Sequence, residues 1–199
     1  CWAGDNATVS VAGHSGELVS TGKKNADGNP VWRLSDDDGS VVEEVSGATN
    51  GMQDGTYWRL TDTDGTQYYF GADHLPSGAG GDGKDTSTNA AWGVPVYGDD
   101  TGEPCHASTL AASECTQGWR WNLDFVVDTH KNIPTYAYKA ETNYFGRGSA
   151  HTLTSYTRGG YLSTISYGQQ VSDYVAKTTP AAQVVFTVAQ RCDGKNSVD

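Results

Sequence analysis

Short alternating runs of apolar and polar residues, separated by turn residues, dominate this sequence. One motif occurs twice: Val31-Trp32-Arg33-Leu34 precedes an acidic turn ending in Asp38-Gly39, and Tyr57-Trp58-Arg59-Leu60 precedes one ending in Asp64-Gly65. A second alternating run follows each turn. Asp-Gly between alternating runs is a strong hairpin signal, because both residues tolerate the positive φ of a tight turn. The pattern predicts two similar β-hairpins that are neighbours in one sheet.

Further runs predict some eleven or twelve short strands. A first hairpin is expected around residues 13–16, and the clearest strand covers 119–127. Its two-residue period places Trp119, Trp121, Leu123 and Phe125 in the core and leaves Arg120 and Asp124 outside it. Later strands are expected at 134–139, 152–157, 161–167 and 183–188. Helix is expected only within residues 106–116. The predicted fold is all-β, with antiparallel hairpins stacked in a β-sandwich or shell-like sheet.

The Gly-rich stretch from residue 72 to 91 has little to bury and divides the pattern in two. We therefore expect an N-terminal hairpin unit over 1–71, a loop over 72–91 and a C-terminal β unit over 92–199. One continuous domain is the alternative.

Charge and cysteine content narrow the classes of protein. The chain has 24 acidic and 13 basic residues, a net charge of −11, which disfavours nucleic acid as a partner. No run is long and apolar enough for a membrane span. The 4 cysteines have no metal-site spacing, so two disulfides in a secreted protein are expected. Neighbours Cys105 and Cys115 are the preferred first pair; Cys1, which indicates a processed or cloned fragment, would pair with Cys192.

Candidate chemistry is sparse. Turn residues Asp36, Asp38, Asp62 and Asp64 could offer oxygen ligands to Ca²⁺, although turn geometry is the favoured explanation of these acids and the bidentate Glu of an EF-hand is missing. No other cofactor is predicted. The five histidines are scattered, Ser15 lacks a nucleophile elbow, and pairing Asp124 with Glu141 or Asp128 carries no specific signal among so many acids. The residues favour a protein without catalysis.

Aromatic side chains are the stronger binding candidates. On a sheet face such rings can stack on sugars, although core packing is their commoner role. The candidates are Trp92, Tyr136, Tyr138, Tyr144 and Tyr161.

Several segments resemble the Rhs/YD-repeat proteins of bacteria, relatives of teneurins and of the shell-forming C components of Tc toxins. The similar pieces include Trp58-Arg59-Leu60 with Asp64 to Gly71, Trp119 to Asp124, Glu141 to Arg147 and Arg158 to Leu162. Their order is similar to the region that precedes the repeats in secreted members. The repeat itself, the auto-cleaving core and the C-terminal toxin have no counterpart here.

This resemblance implies a non-catalytic structural or interaction module of a secreted Rhs-like toxin or surface protein. Its partners would be other segments of the parent toxin or a cell-surface target. Two alternatives stay open: a stand-alone secreted protein, either binding glycans or cell surfaces or acting as a small toxin, and a secreted hydrolase with an unrecognised acid pair.

Overall fold

Antiparallel β-strands are the main secondary structure of this protein, whose computed structural model describes residues 7–147 and 151–189. Ten strands form one sheet in the order β1-β2-β3-β4-β5-β6-β9-β10-β11-β12, and β7 pairs with β8 as a separate hairpin. The strands are β1 (Thr8–Val11), β2 (His14–Lys24), β3 (Pro30–Leu34), β4 (Val41–Val45), β5 (Tyr57–Thr61), β6 (Gln67–Phe70), β7 (Ala91–Tyr97), β8 (Glu114–Trp121), β9 (Leu123–Val127), β10 (Thr135–Arg147), β11 (Thr152–Tyr167) and β12 (Ala182–Val185). The all-β prediction is confirmed.

The two repeated hairpins lie side by side in the large sheet, as predicted. Strands β3 and β4 form the first and β5 and β6 the second, and β4 pairs with β5 between them. Glu43 lies opposite Arg59 in that pairing, and Arg59 Nε donates to Glu43 Oε2 at 2.6 Å. An ion pair therefore crosses the junction between the two copies of the motif.

Both faces of the sheet are apolar around these hairpins. On one face, Trp32, Val42, Leu60 and Phe70 belong to one buried cluster. On the other, Tyr57, Tyr69 and Phe125 belong to a second buried cluster together with Leu75 and Val171. Successive strand residues point to opposite faces, which is why one alternating run supplies both clusters.

Residues 72–91 cover one of these cores. The segment is a loop, as predicted, with a short 3-10 helix at Ser77–Ala79. Contrary to expectation, it has much to bury, because Ala72, Leu75, Ala79 and Ala90 are all inaccessible or nearly so. Strand β6, which precedes the segment, pairs directly with β9, which follows it, so one sheet contains strands from both sides of the segment.

Helix is as scarce as predicted, but its place was predicted wrongly. Residues Leu110–Ala112 form only a single 3-10 turn. The one α-helix of the described residues, α1, spans Val171–Val175 and buries Val171 in the core beneath residues 72–79. At its start the Gln170 backbone N–H donates to Asp173 Oδ2 at 3.2 Å, as in a capping box.

The stretch 119–127 is two strands rather than one. Asn122 interrupts it: its backbone N–H and side-chain amide both donate to the Ala90 carbonyl, and its own carbonyl accepts from Gly71 N–H. The chain thus passes from pairing with β7 to pairing with β6. The alternation of buried and exposed side chains does not continue unbroken across this change of partner. Trp119 is 39% exposed and Asp124 is fully buried, so both predictions were wrong, while Phe125 is buried as predicted. Trp121 and Leu123 are partly buried against the core that contains Trp32.

Candidate functional site

The turns of the two repeated hairpins meet at one histidine. This histidine belongs to the β1–β2 hairpin, which precedes the two repeated ones. Its chain turns at Ala12 and Gly13, earlier than predicted, so that His14 begins β2 opposite Val11. His14 Nδ1 lies 2.6 Å from Asp38 Oδ2, and His14 Nε2 lies 3.2 Å from Asp62 Oδ2. Only a protonated imidazole can donate from both nitrogens. Hydrogen bonds to the two carboxylates accordingly raise the pKa of His14.

Of the four candidate Ca²⁺ ligands, two contact His14 and two do not. Asp38 and Asp62 come together, but around the His14 ring; hydrogen bonds from Ser40 and His14 lower the pKa of Asp38 to about 2. Asp64 accepts the Thr66 backbone N–H as a turn residue, and Asp36 is exposed.

A separate acidic group that the sequence did not suggest comprises Asp99, Asp100 and Glu103. Glu103 Oε2 accepts the backbone N–H groups of Asp99 and Asp100, which accounts for the local turn.

Asp124 and Asp73 are buried carboxyl groups beneath the 72–91 loop. Asp124 Oδ2 accepts the Asp73 backbone N–H at 2.7 Å and the Thr88 hydroxyl, whereas its Oδ1 has no partner among the described residues. Asp73 accepts the backbone N–H groups of Ala90 and Ala91. Burial raises the pKa of both carboxyls, and that of Asp124 strongly. Glu141, its suggested catalytic partner, pairs instead with Arg158.

Cys105 and Cys115 form a disulfide, as predicted, with Cα atoms 5.6 Å apart. The bond joins the loop after β7 to the start of β8. Cys1 and Cys192 lie outside the described residues.

The aromatic candidates are dispersed over the C-terminal half. Trp92 is 5% exposed and packs against Trp119, Tyr138 and the Arg120 guanidinium, so it offers solvent little ring surface. The Tyr138 hydroxyl donates to the Leu123 carbonyl. Tyr136 and Tyr161 are partly exposed, and Tyr144 is exposed near the distal end of β10.

A crevice of about 300 Å³ separates the β7–β8 hairpin from β10 and β11. Asn50 and Asp73 form part of its buried floor, and its walls carry hydroxyls and small apolar groups. The hydroxyl-bearing wall residues are Thr116, Thr142, Ser155, Tyr156 and Thr157.

The sheet ends in a thin extension formed by the start of β10, the end of β11 and β12. Tyr136 lies opposite Ile165, and Ile165 lies opposite Val184, so the three side chains form one row on the same face. We call these three residues the extension row. None of the three is buried, and Val184 is exposed.

Strand β12 and the three residues after it form an exposed apolar margin, which we call the open edge (residues 182–188). Val185 is 65% exposed and Val188 57% exposed, and Val184 and Phe186 are exposed as well. The sequence from residue 178 to 190 contains no charged residue, in a chain of net charge −11. The strand was predicted, but not its exposure, because the pattern Val-Val-Phe-Thr-Val is equally typical of a buried strand.

Comparison with protein-family models, curated proteins and solved structures finds no match to this chain. Among the described residues, no helix has the length and apolarity needed to cross a membrane.

Proposed function

We propose that this chain is a non-catalytic structural or interaction module of a secreted Rhs-like bacterial toxin or surface protein. The observation that carries the proposal is the extension of the sheet beyond its two cores. Large apolar side chains there, in the extension row and on the open edge, remain accessible to solvent among the described residues. Contiguous exposed apolar surface is typical of sites that contact another protein segment.

The rest of the molecule suits a scaffold role. Each sheet connection runs to a neighbouring strand, except where the β7–β8 hairpin intervenes between β6 and β9. Such a sheet can be continued at its margin by strands from elsewhere. The Cys105–Cys115 disulfide agrees with an oxidising compartment, where such bonds persist. Other segments of a parent toxin, or a cell-surface target, are the proposed partners.

An antibody raised against these 199 residues tests whether the chain is part of a longer secreted protein. In a culture of the source bacterium, we expect the antibody to detect a much longer polypeptide in the medium. A product of only this size, or one confined to the cells, would contradict a secreted Rhs-like parent.

The crevice favours one second candidate, a glycan-binding protein. Its walls combine hydroxyls with the apolar side chains of Met52 and Pro95, and Asp73 is its one acidic residue. Neutral sugars use such mixed surfaces for hydrogen bonds and for contacts of their C–H faces. Selective binding on a glycan array, lost in Thr142→Lys and kept in Thr152→Lys on the same hairpin, would favour this candidate over the first.

A further inference from the structure

The open edge carries backbone groups that no described strand satisfies. Val185 lies opposite Thr164, and the Phe186 N–H donates to the Ser163 carbonyl of β11. Hydrogen-bonding direction alternates along an antiparallel strand, so the N–H group of Val185 points away from β11. Thr187 follows two residues later, just past the end of β12. The Val185 N–H is a donor on a strand edge that no described strand pairs with.

This edge lacks most of the devices that keep strand edges apart. Natural edges are commonly protected by charged side chains, proline, bulges or very short strands. From Ala182 to Val188 the chain has no charge and no proline, the pairing of β12 with β11 contains no bulge, and the side chains are mostly β-branched or aromatic. Shortness is the protective feature that it has, because β12 is four residues long, as is β1 at the opposite margin of the sheet.

We propose that the open edge pairs in antiparallel fashion with the open edge of a second copy of this chain. The charge distribution favours this occupant: two molecules of net charge −11 repel one another, and the neutral stretch 178–190 is where they can approach. A two-fold axis perpendicular to the sheet makes the new pairing antiparallel, as every other pairing in the sheet is. It also places uncharged residues opposite uncharged residues.

Symmetry limits the assembly to a dimer. Pairing of β12 with β12 of a second copy uses the same surface twice and closes, whereas pairing of β12 with β1 of another copy would continue into a filament. The inference rests on the proposed interaction role of the open edge, but it needs neither secretion nor an Rhs-like parent.

Sedimentation of the oxidised chain over a range of concentrations tests the pairing, with two charge variants at one position. Val185→Lys and Val185→Glu each place like charges near one another across the two-fold axis, so each should weaken the dimer by about tenfold or more in Kd. Mixing the two variants should restore dimers. The matched control Val19→Lys changes a valine that is 51% exposed on β2, away from the open edge, and should leave the dimer unchanged.

Amide hydrogen exchange provides the site-specific readout. Exchange at Val185 and Thr187 should slow as the dimer forms, while their exchange in Val185→Lys stays fast. A monomer at every concentration, species that grow beyond a dimer, or a dimer that both charge variants retain would each overturn self-pairing. A monomeric chain whose extension is covered in the natural protein would overturn self-pairing alone and leave the proposed function standing.

Discussion

Asp124 is a carboxyl group with no solvent contact, no cationic partner and one oxygen without a hydrogen bond among the described residues. Burial raises its pKa well above the usual range. A raised folded-state pKa means that the group's contribution to stability is complete below the unfolded pKa and is lost as pH rises through the folded pKa. Asp124 therefore makes the fold less stable as the solution becomes less acidic.

Asp124→Asn should remove this pH dependence. Asparagine resembles the protonated acid and keeps an oxygen that can accept from the Asp73 N–H and the Thr88 hydroxyl. At about pH 7, above the ordinary carboxyl pKa, we expect the variant to be at least as stable as the parent in urea unfolding. Asp36→Asn, at an exposed acid, is the control for the loss of one negative charge and should change the stability little at that pH. Clear destabilisation by Asp124→Asn at that pH would show that the ionised carboxylate is needed.

The contribution of His14 to stability should also decrease as pH rises, but for a different reason. Its hydrogen bonds to Asp38 and Asp62 raise the pKa of the imidazole, so their contribution is complete below the unfolded pKa and is lost as pH rises through the folded pKa. His14→Gln should lower stability at about pH 5.5 more than at about pH 8.5. Urea unfolding at both values checks this.

His151→Gln is the matched control for His14→Gln, because His151 is exposed and makes no side-chain hydrogen bond within residues 7–147 and 151–189. Its effect should be small at both pH values. Equal destabilisation by His14→Gln at the two pH values would mean that His14 contributes by packing, for example against Tyr68, and not by charge.

Asp38 and Asp62 could be recognised from the sequence as candidate site residues, but His14 and its contacts with both of them could not. Asp38 and Asp62 were singled out because they recur in the two turns. His14 lies 24 positions before Asp38, and only the pairing of β2 with β3 brings it to the turns. Periodicity predicts which face a side chain takes, and long-range register decides which neighbours it finds there.

At the scale of elements, the two tryptophans of β8 should differ in their contribution to stability. Trp121 packs edge-on against Trp58 and donates its indole N–H to the Thr56 carbonyl, whereas Trp119 is 39% exposed. Trp121→Ala should cost about 3 kcal/mol, within the usual range for large core truncations. Trp119→Ala should cost about 1 kcal/mol. Denaturant titrations in which Trp119→Ala is the more damaging change would contradict this packing.

The disulfide should stabilise the β7–β8 region. Cys105 and Cys115 are separated by 10 positions, and closing a loop of about this size contributes about 3 kcal/mol in the chain-entropy model. Cys105→Ser/Cys115→Ser should therefore lose about that much in urea unfolding. Cys1→Ser/Cys192→Ser is the matched comparison, since it leaves this bridge intact. No loss in the first double variant, together with two free thiols in the parent by mass mapping, would contradict the assignment.

The error over residues 119–127 has a physical origin. The alternation in 119–127 is real, but the backbone N–H and side-chain amide of Asn122 both donate to the Ala90 carbonyl where the strand is interrupted, and the strand after the interruption joins a different partner. A polar residue at one position of an alternating run fits a continuous strand and an interrupted one equally well. The repeated hairpins were predicted correctly because their turn residues are local and specific.

At the scale of the whole molecule, the sequence was sufficient for the fold class and for the adjacency of the repeated hairpins. The sequence was not sufficient to predict which side chains at the margin of the sheet are exposed to solvent. Whether Val184 and Phe186 face a core or solvent depends on what lies beyond β12, and that is a property of the assembled sheet rather than of the local pattern. The candidate binding surface was therefore missed, although Tyr136 within it was named.

Hydroxyl-radical footprinting tests the proposed function most directly, by comparing this chain alone, at concentrations where it is monomeric, with the natural polypeptide that contains it. If the extension is an interaction surface, Tyr136, Ile165 and Phe186 should be oxidised in the isolated chain and protected in the natural protein. Leu110, which is 67% exposed outside the extension, should be oxidised equally in both. Equal oxidation of the extension residues in the two samples would contradict the proposal.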